Sequence, residues 1–215
     1  MTGIASAGKS GITRRRVVIG AAVIALVGAI AIDTTVVKVG SEADLRQQAF
    51  DPDTFGQNEF PRIRDVVAER APDAATLANE LAADKKAAIK AYGTQAGAFP
   101  VMPVKFTGTV GEGKSGIFDV AVDGLPEGTK IRVQTGPAIN GTELRDAPGD
   151  IEFGAFKNQI EYQDAGAGIN RAMSEATLAD LDREALSGKT ISVTGAFTLI
   201  NPKSWLVTPV ELQVQ

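Results

Sequence analysis

The sequence predicts an α+β chain in three parts: an N-terminal membrane helix, a helical pair and a small antiparallel β-barrel. Three observations carry that prediction. An uncharged, mostly apolar run, Val17–Ile32, follows three consecutive arginines. Apolar residues then recur at helical spacing from about residue 53 to 93, and from about residue 100 the spacing falls to two. The parts are 1–37 (tail and membrane anchor or signal segment), 38–94 (linker and helical pair) and 95–215 (barrel).

The first part is read from its flanks. Sixteen helical residues span roughly 24 Å, short of the ~30 Å hydrocarbon core, and continuing through Thr34–Val37 brings the helix to roughly 32 Å. A buried core helix is the alternative, but Arg14-Arg15-Arg16 is an unusual flank for one. Positive flanks stay cytoplasmic, so the remainder should lie in the periplasm or its equivalent. Charge is divided the same way: residues 1–37 carry about +3, and the rest about −7, with 18 basic against 25 acidic residues. A retained single-pass anchor is favoured. Ala29-Ile30-Ala31 has the small-x-small form of a signal-peptidase site, so a cleaved, exported form stays open. Thr13–Val18 also loosely resembles a twin-arginine signal.

Residues 38–53 read as linker. A first helix is expected near Asp53-Thr54, with Phe55, Ile63, Val66 and Val67 apolar and Pro61 as a break or kink. A second runs from the N-cap Asp73 to the stop at Gly93, with Leu77, Leu81, Ala88, Ile89 and Tyr92 at helical spacing. Strands follow at Val104–Val110, Ile117–Val122 and Ile131–Val133, separated by Gly-rich turns. A helix is expected at 165–178, then strands at 190–200 and 205–214. The order β-β-β-α-β-β is that of an OB-like barrel, and Gly195 inside the fourth strand suits its coiling. A plain antiparallel sheet with a helix is the alternative.

Composition excludes much chemistry. The 215 residues include no cysteine and no histidine. Thiolate nucleophiles, imidazole bases and His-ligated metals are therefore absent from the chain. No cofactor or metal is expected, and a non-enzymatic protein is the preferred reading. Two segments match the phosphate-loop pattern, Gly3…Gly8-Lys9-Ser10 and Gly108…Gly113-Lys114-Ser115. A phosphate loop needs a strand before it and a helix after it. The first match lies in the tail and the second runs into an alternating strand, so no nucleotide is expected. Nucleic acid is excluded too, because the outer region is acidic and aromatics are only 6% of the chain.

The stretch 136–162 mixes hydrogen-bonding side chains with Phe153, Phe156 and Tyr162. Candidate ligand- or partner-binding residues are Arg145, Asp146, Asn158, Gln159, Glu161 and Tyr162, suited to a carbohydrate or a polar peptide. The competing reading is a long loop whose Arg145, Asp146, Asn158 and Glu161 bond to one another and cap the barrel. Glu143, Asp146, Glu152 and Glu161 offer carboxylates for glycosidic chemistry, but no spacing singles out a pair.

From about Val36 onward the chain resembles the predicted periplasmic lipoproteins, domain of unknown function 2291. The resemblance rests on GPAINGTELRDAPGDIEFGAFKNQIEYQDAGAGINRAM (136–173), LSGKTISVTGAFTL (186–199) and LVTPVELQV (206–214). FDPDTF (50–55) and AADKKAAIKAYG (82–93) agree as well. It implies a membrane-attached extracytoplasmic protein working beside a sugar-type ABC import system, with a transporter or solute-binding protein as partner. It brings no catalytic residues. A periplasmic solute or saccharide receptor using the 136–162 loops is the alternative. One departure stands out: without cysteine there is no thiol to acylate, so the hydrophobic segment must anchor the chain or the protein is released.

Overall fold

The computed structural model describes residues 10–33 and 50–215, in two units divided between Ala49 and Phe50. The first unit contains one described element, helix α1 (Ser10–Asp33). Its side chains are described for residues 16–30, about 22 Å of helix at 1.5 Å per residue. Val17, Val18, Ile19, Ile24 and Val27 are all exposed, and at 100° per residue they leave no polar side. Among the described residues no helix is long and apolar enough to cross a membrane. The expected span needed Thr34–Val37, which lie outside the described residues, as do the first phosphate-loop match up to Lys9 and most of the expected linker.

The second unit opens on α2 (Pro52–Arg70). Asp51 caps it: one carboxylate oxygen accepts the Asp53 and Thr54 N–H at 3.0 and 3.2 Å. Pro61, expected to break or kink this helix, does not break it. The helix runs through it, with Pro61 on the exposed side and the neighbouring Phe60 and Ile63 buried in the core. Packing outweighs the one backbone hydrogen bond that proline forfeits.

The second expected helix is two, α3 (Ala74–Ala83) and α4 (Lys85–Tyr92). Asp84 separates them in an extended conformation, and its side chain accepts the Lys86 and Ala87 N–H. An aspartate that can cap a new helix competes with continuing the old one.

The strands are β1 (Thr94–Ala96), β2 (Phe99–Lys114), β3 (Ile117–Ala121), β4 (Lys130–Gln134), β5 (Thr190–Thr198) and β6 (Ser204–Val214). Between β4 and β5 stand the single turn α5 (Glu143–Asp146), a 3₁₀ turn (Phe153–Ala155) and α6 (Gln159–Leu178). Sheet order is β1-β2-β3-β4-β6-β5, and β2 also pairs with β5, which closes the barrel and removes the plain-sheet alternative. All pairings are antiparallel except β4–β6. Leaving aside the short β1, the sequential order β-β-β-α-β-β is the OB-like one expected. Gly108–Lys114 of the second phosphate-loop match lie on β2, and Ser115 on the turn into β3, so no helix follows the glycines.

Gly195 sits where the β5–β6 register shifts, opposite Pro209. A Cβ there would lie 2.5 Å from the Thr208 carbonyl oxygen, so only glycine lets β6 approach this closely.

The barrel interior is filled by Phe106, Ile131, Val133, Val193, Phe197, Trp205 and Val207, with Leu77 and Leu81 of α3 closing over them. A second apolar cluster joins α2 and α6 to the barrel through Ile63, Leu144, Ile169, Met173 and Val210. The two helices touch through glycines. A Cβ on Gly56 would meet the Gly168 backbone, and one on Gly168 would meet the Pro52 carbonyl.

Candidate functional site

The segment between β4 and α6 folds over one end of the barrel and is fastened by buried polar side chains. Gln134, at the end of β4, donates to the Asn140 carbonyl (3.0 Å) and to the Thr208 hydroxyl (2.9 Å), and accepts the Asn140 N–H (3.1 Å). Asn170 of α6 donates to the Gly141 carbonyl at 2.9 Å. Arg183 donates to the carbonyls of Thr135 and Leu178. The Gly136-Pro137 peptide between these anchors is cis. The loop is thus held by side chains from β4, β6, α6 and the segment after α6, none of which stood among the expected site residues.

Glu143 is the titratable member of this network. Its carboxylate accepts the Thr198 hydroxyl at 3.1 Å. The Thr208 hydroxyl, which accepts from Gln134, lies near enough to favour the charged form of the same carboxylate. Burial raises the Glu143 carboxyl above its ordinary value, and the nearby Asp146 charge adds to that, while the hydroxyl and backbone donors oppose it.

The six expected residues divide into two groups. Arg145 and Asp146 share α5 and form a forked pair at 2.8 and 3.2 Å, largely removed from solvent. Arg145 also donates to the Tyr162 carbonyl at 3.0 Å, and its guanidinium lies 3.7 Å from the Tyr162 ring centroid. Asp146 takes a further bond from the Thr142 hydroxyl at 2.6 Å. Burial raises the Tyr162 hydroxyl, and the Arg145 charge works against that shift.

The other group starts α6, which begins six residues earlier than expected. Asn158 is its N-cap and accepts the Glu161 N–H at 2.9 Å; Glu161 reaches back to the Lys157 N–H at 3.0 Å. This reciprocal bonding is a close variant of the capping box, and it explains the earlier start. Gln159 stands exposed on the first turn. Tyr162 links the groups, so five of the six residues are joined by bonds within this cap, while Gln159 faces water.

The rings around Tyr162 form a chain. Phe153 and Phe156 pack on Tyr162 at 5.6 and 5.4 Å, and Phe156 also meets Phe50 and Phe55 at 5.5 and 5.6 Å. Beside the cap, a groove of about 520 Å³ runs between Pro137–Ile139 and α6, lined also by Asn170, Arg171, Ser174 and Glu175.

The predicted periplasmic lipoproteins, domain of unknown function 2291, match residues 22–213. The chain belongs to that family. The match covers the barrel, the cap and both helices packed on it, and includes part of α1. An OB-fold protein from Thermotoga maritima has a solved structure with a TM-score of 0.62 and 20% identity, covering 78% of this chain and 100% of that one. At that identity the likeness extends to the fold. No curated protein matches the chain. The family description names a lipoprotein, and this member has no cysteine to carry a lipid.

Proposed function

We propose that the chain is a non-enzymatic extracytoplasmic protein, tethered by its N-terminal helix, that assists a sugar-type import system by binding a protein partner. The observation that carries the tether is the part of α1 from Val17 to Ile30, which is apolar on every side and follows three arginines in the same helix. Such a helix finds its solvent in lipid or in a protein interior. The non-enzymatic reading is supported by the cap, where Arg145 and Asp146 are paired with each other and Arg145 also holds the Tyr162 carbonyl of α6. Alkaline phosphatase fused after Gln215 should be active and remain with the membrane after an alkaline carbonate wash. Active enzyme in the soluble fraction would mean that the segment is cleaved. For the accessory role, cross-linking in intact membranes should recover a transporter component, and failure to recover one would remove that role.

A saccharide receptor is the second reading, and the groove beside Pro137–Ile139 favours it. A panel of sugars in a thermal-shift assay separates the two: a receptor melts higher with its ligand.

A further inference from the structure

The α6 wall of the groove beside Pro137–Ile139 holds a polar group with nothing to bond to. Asn170 is only 6% exposed, yet it lines the groove. Its Nδ2 donates to the Gly141 carbonyl at 2.9 Å, which fixes the orientation of the amide. The other end, Oδ1, accepts no hydrogen bond from any described residue. No fully buried side-chain oxygen or nitrogen among the described residues lacks a partner, so Oδ1 reaches the surface where Asn170 does, at the groove. A nearly buried amide oxygen held in this way is costly unless water or a ligand donates to it.

Three neighbours on the same wall are available too. Ser174 and Glu175 make no hydrogen bond or ion pair with any described residue. Arg171 gives its Nε to Asp53 in an exposed pair, which leaves both Nη groups free. Across the groove, Pro137, Ala138 and Ile139 supply an apolar wall.

We propose that this groove binds a zwitterionic solute of dipeptide size with an apolar side chain. The inference rests on the reading of the groove as a solute site and replaces the saccharide as its ligand. Charge is the first support. A guanidinium fork suits a carboxylate, and the Glu175 carboxylate suits an ammonium group. Spacing is the second. Arg171 and Glu175 stand four residues apart on α6, so their Cβ atoms are about 5–6 Å apart. The ends of a dipeptide lie within roughly 7 Å of each other, whereas a single amino acid carries both charges on one carbon. Between those ends, the Asn170 Oδ1 is an acceptor for the peptide N–H, and the apolar wall takes the side chain. The volume of about 520 Å³ falls within the usual range for solute pockets. A sugar fits less well. No aromatic side chain lines the groove to stack on its ring, and a neutral sugar leaves both charges uncompensated.

Calorimetric titration of the full chain in detergent micelles tests this with alanyl-leucine, N-acetyl-alanyl-leucine, alanyl-leucinamide and maltose. The free dipeptide should bind at least fivefold more tightly than either blocked form. Glu175→Gln should erase the margin over the N-acetyl form and leave that form's own affinity unchanged. Ala167→Phe, which fills the groove from α6, should abolish binding. Both positions are exposed, and emission from Trp205, the sole tryptophan, reports whether each variant stays folded. Equal affinity for free and blocked dipeptides overturns the proposal, and so does dipeptide binding that survives Ala167→Phe. Maltose binding that Ala167→Phe removes, with no dipeptide binding, ends the proposal and keeps the groove as a saccharide site. Binding of neither solute ends the proposal and the receptor reading together.

Discussion

Two groups of aromatic residues in this protein have opposite surroundings. Inside the barrel, Phe197 and Trp205 stack at 4.6 Å with an interplanar angle of 15°, and neither is exposed at all. The Trp205 indole N–H donates to the Pro202 carbonyl at 2.8 Å, so even its polar atom is satisfied internally. At the cap, five rings meet mostly edge to face, one of them has a guanidinium over it, and all keep some contact with water. Buried rings contribute area and packing, so they hold the fold. Rings that remain at the surface contribute less to stability, and their arrangement depends on the Arg145–Asp146 pair behind them. The contrast separates the part of the molecule that makes it fold from the part that gives it something to touch.

The largest effect should come from the barrel. Phe197→Ala removes a fully buried ring from between β2 and β6 and leaves a cavity against Trp205. A loss of about 3–5 kcal/mol is expected by urea denaturation. A loss below about 1 kcal/mol would mean that the barrel interior is not the chief source of stability. Next comes Arg145→Ala, which strands the Asp146 carboxylate and the Tyr162 carbonyl in a largely buried site. About 3 kcal/mol is expected, since breaking a buried pair leaves its partner uncompensated. If Arg145→Ala proves neutral while ligand or partner binding is lost, the guanidinium is a recognition group and the cap is not structural.

The barrel was legible in the sequence because its signals are local. Alternation at Val104–Val110 and Ile131–Val133, turns at Gly124–Gly128 and the break at Gly195 each depend on neighbours within a few residues. The cap was only half legible. Its residues could be picked out as polar and aromatic, but their pairing is set by contacts across 17 positions, as between Arg145 and Tyr162, or 74, as between Gln134 and Thr208. Gln134 and Thr208 sit within strands, where polar residues usually signify a solvent-facing side, so nothing local marked them as a buried clamp. The α2–α6 contact was hidden for a related reason: Gly56 and Gly168 show their purpose only when both helices are in place. Where the sequence misjudged a helix, at Asp84 and the start of α6, capping had outweighed propensity.

Glu143 lies behind the rings, between cap and barrel, and tests whether the two regions are coupled through a proton. Its folded-state value is raised, so the protonated form is favoured by folding. The stability this contributes is complete below the unfolded carboxylate range and is lost as pH rises through the folded value, with a slope of at most about 1.4 kcal/mol per pH unit. Glu143→Gln keeps an acceptor for Thr198 and removes the titration. The variant should therefore gain on the wild type as pH is raised through that window and run parallel to it above. Melting curves at a series of pH values check this; a constant difference at every pH would show that folding leaves the Glu143 titration unshifted.

The smallest effect is expected at Phe153, and it sharpens the comparison most. The ring is half exposed, it touches Tyr162 along one edge, and its 3₁₀ turn contains no buried residue. Phe153→Ala should therefore change the urea midpoint by no more than about 0.5 kcal/mol, the ordinary range for a surface substitution. A neighbouring control is Phe156→Ala, since Phe156 meets Phe50, Phe55 and Tyr162 together and so should cost more, on the order of 1–2 kcal/mol. Should Phe153 prove as expensive as Phe156, the cluster would be a second core that happens to lie near the surface, and the distinction between rings that fold the protein and rings that face outward would fail. A negligible cost at Phe153 beside a measurable one at Phe156 locates the boundary between the two roles within three residues of one loop.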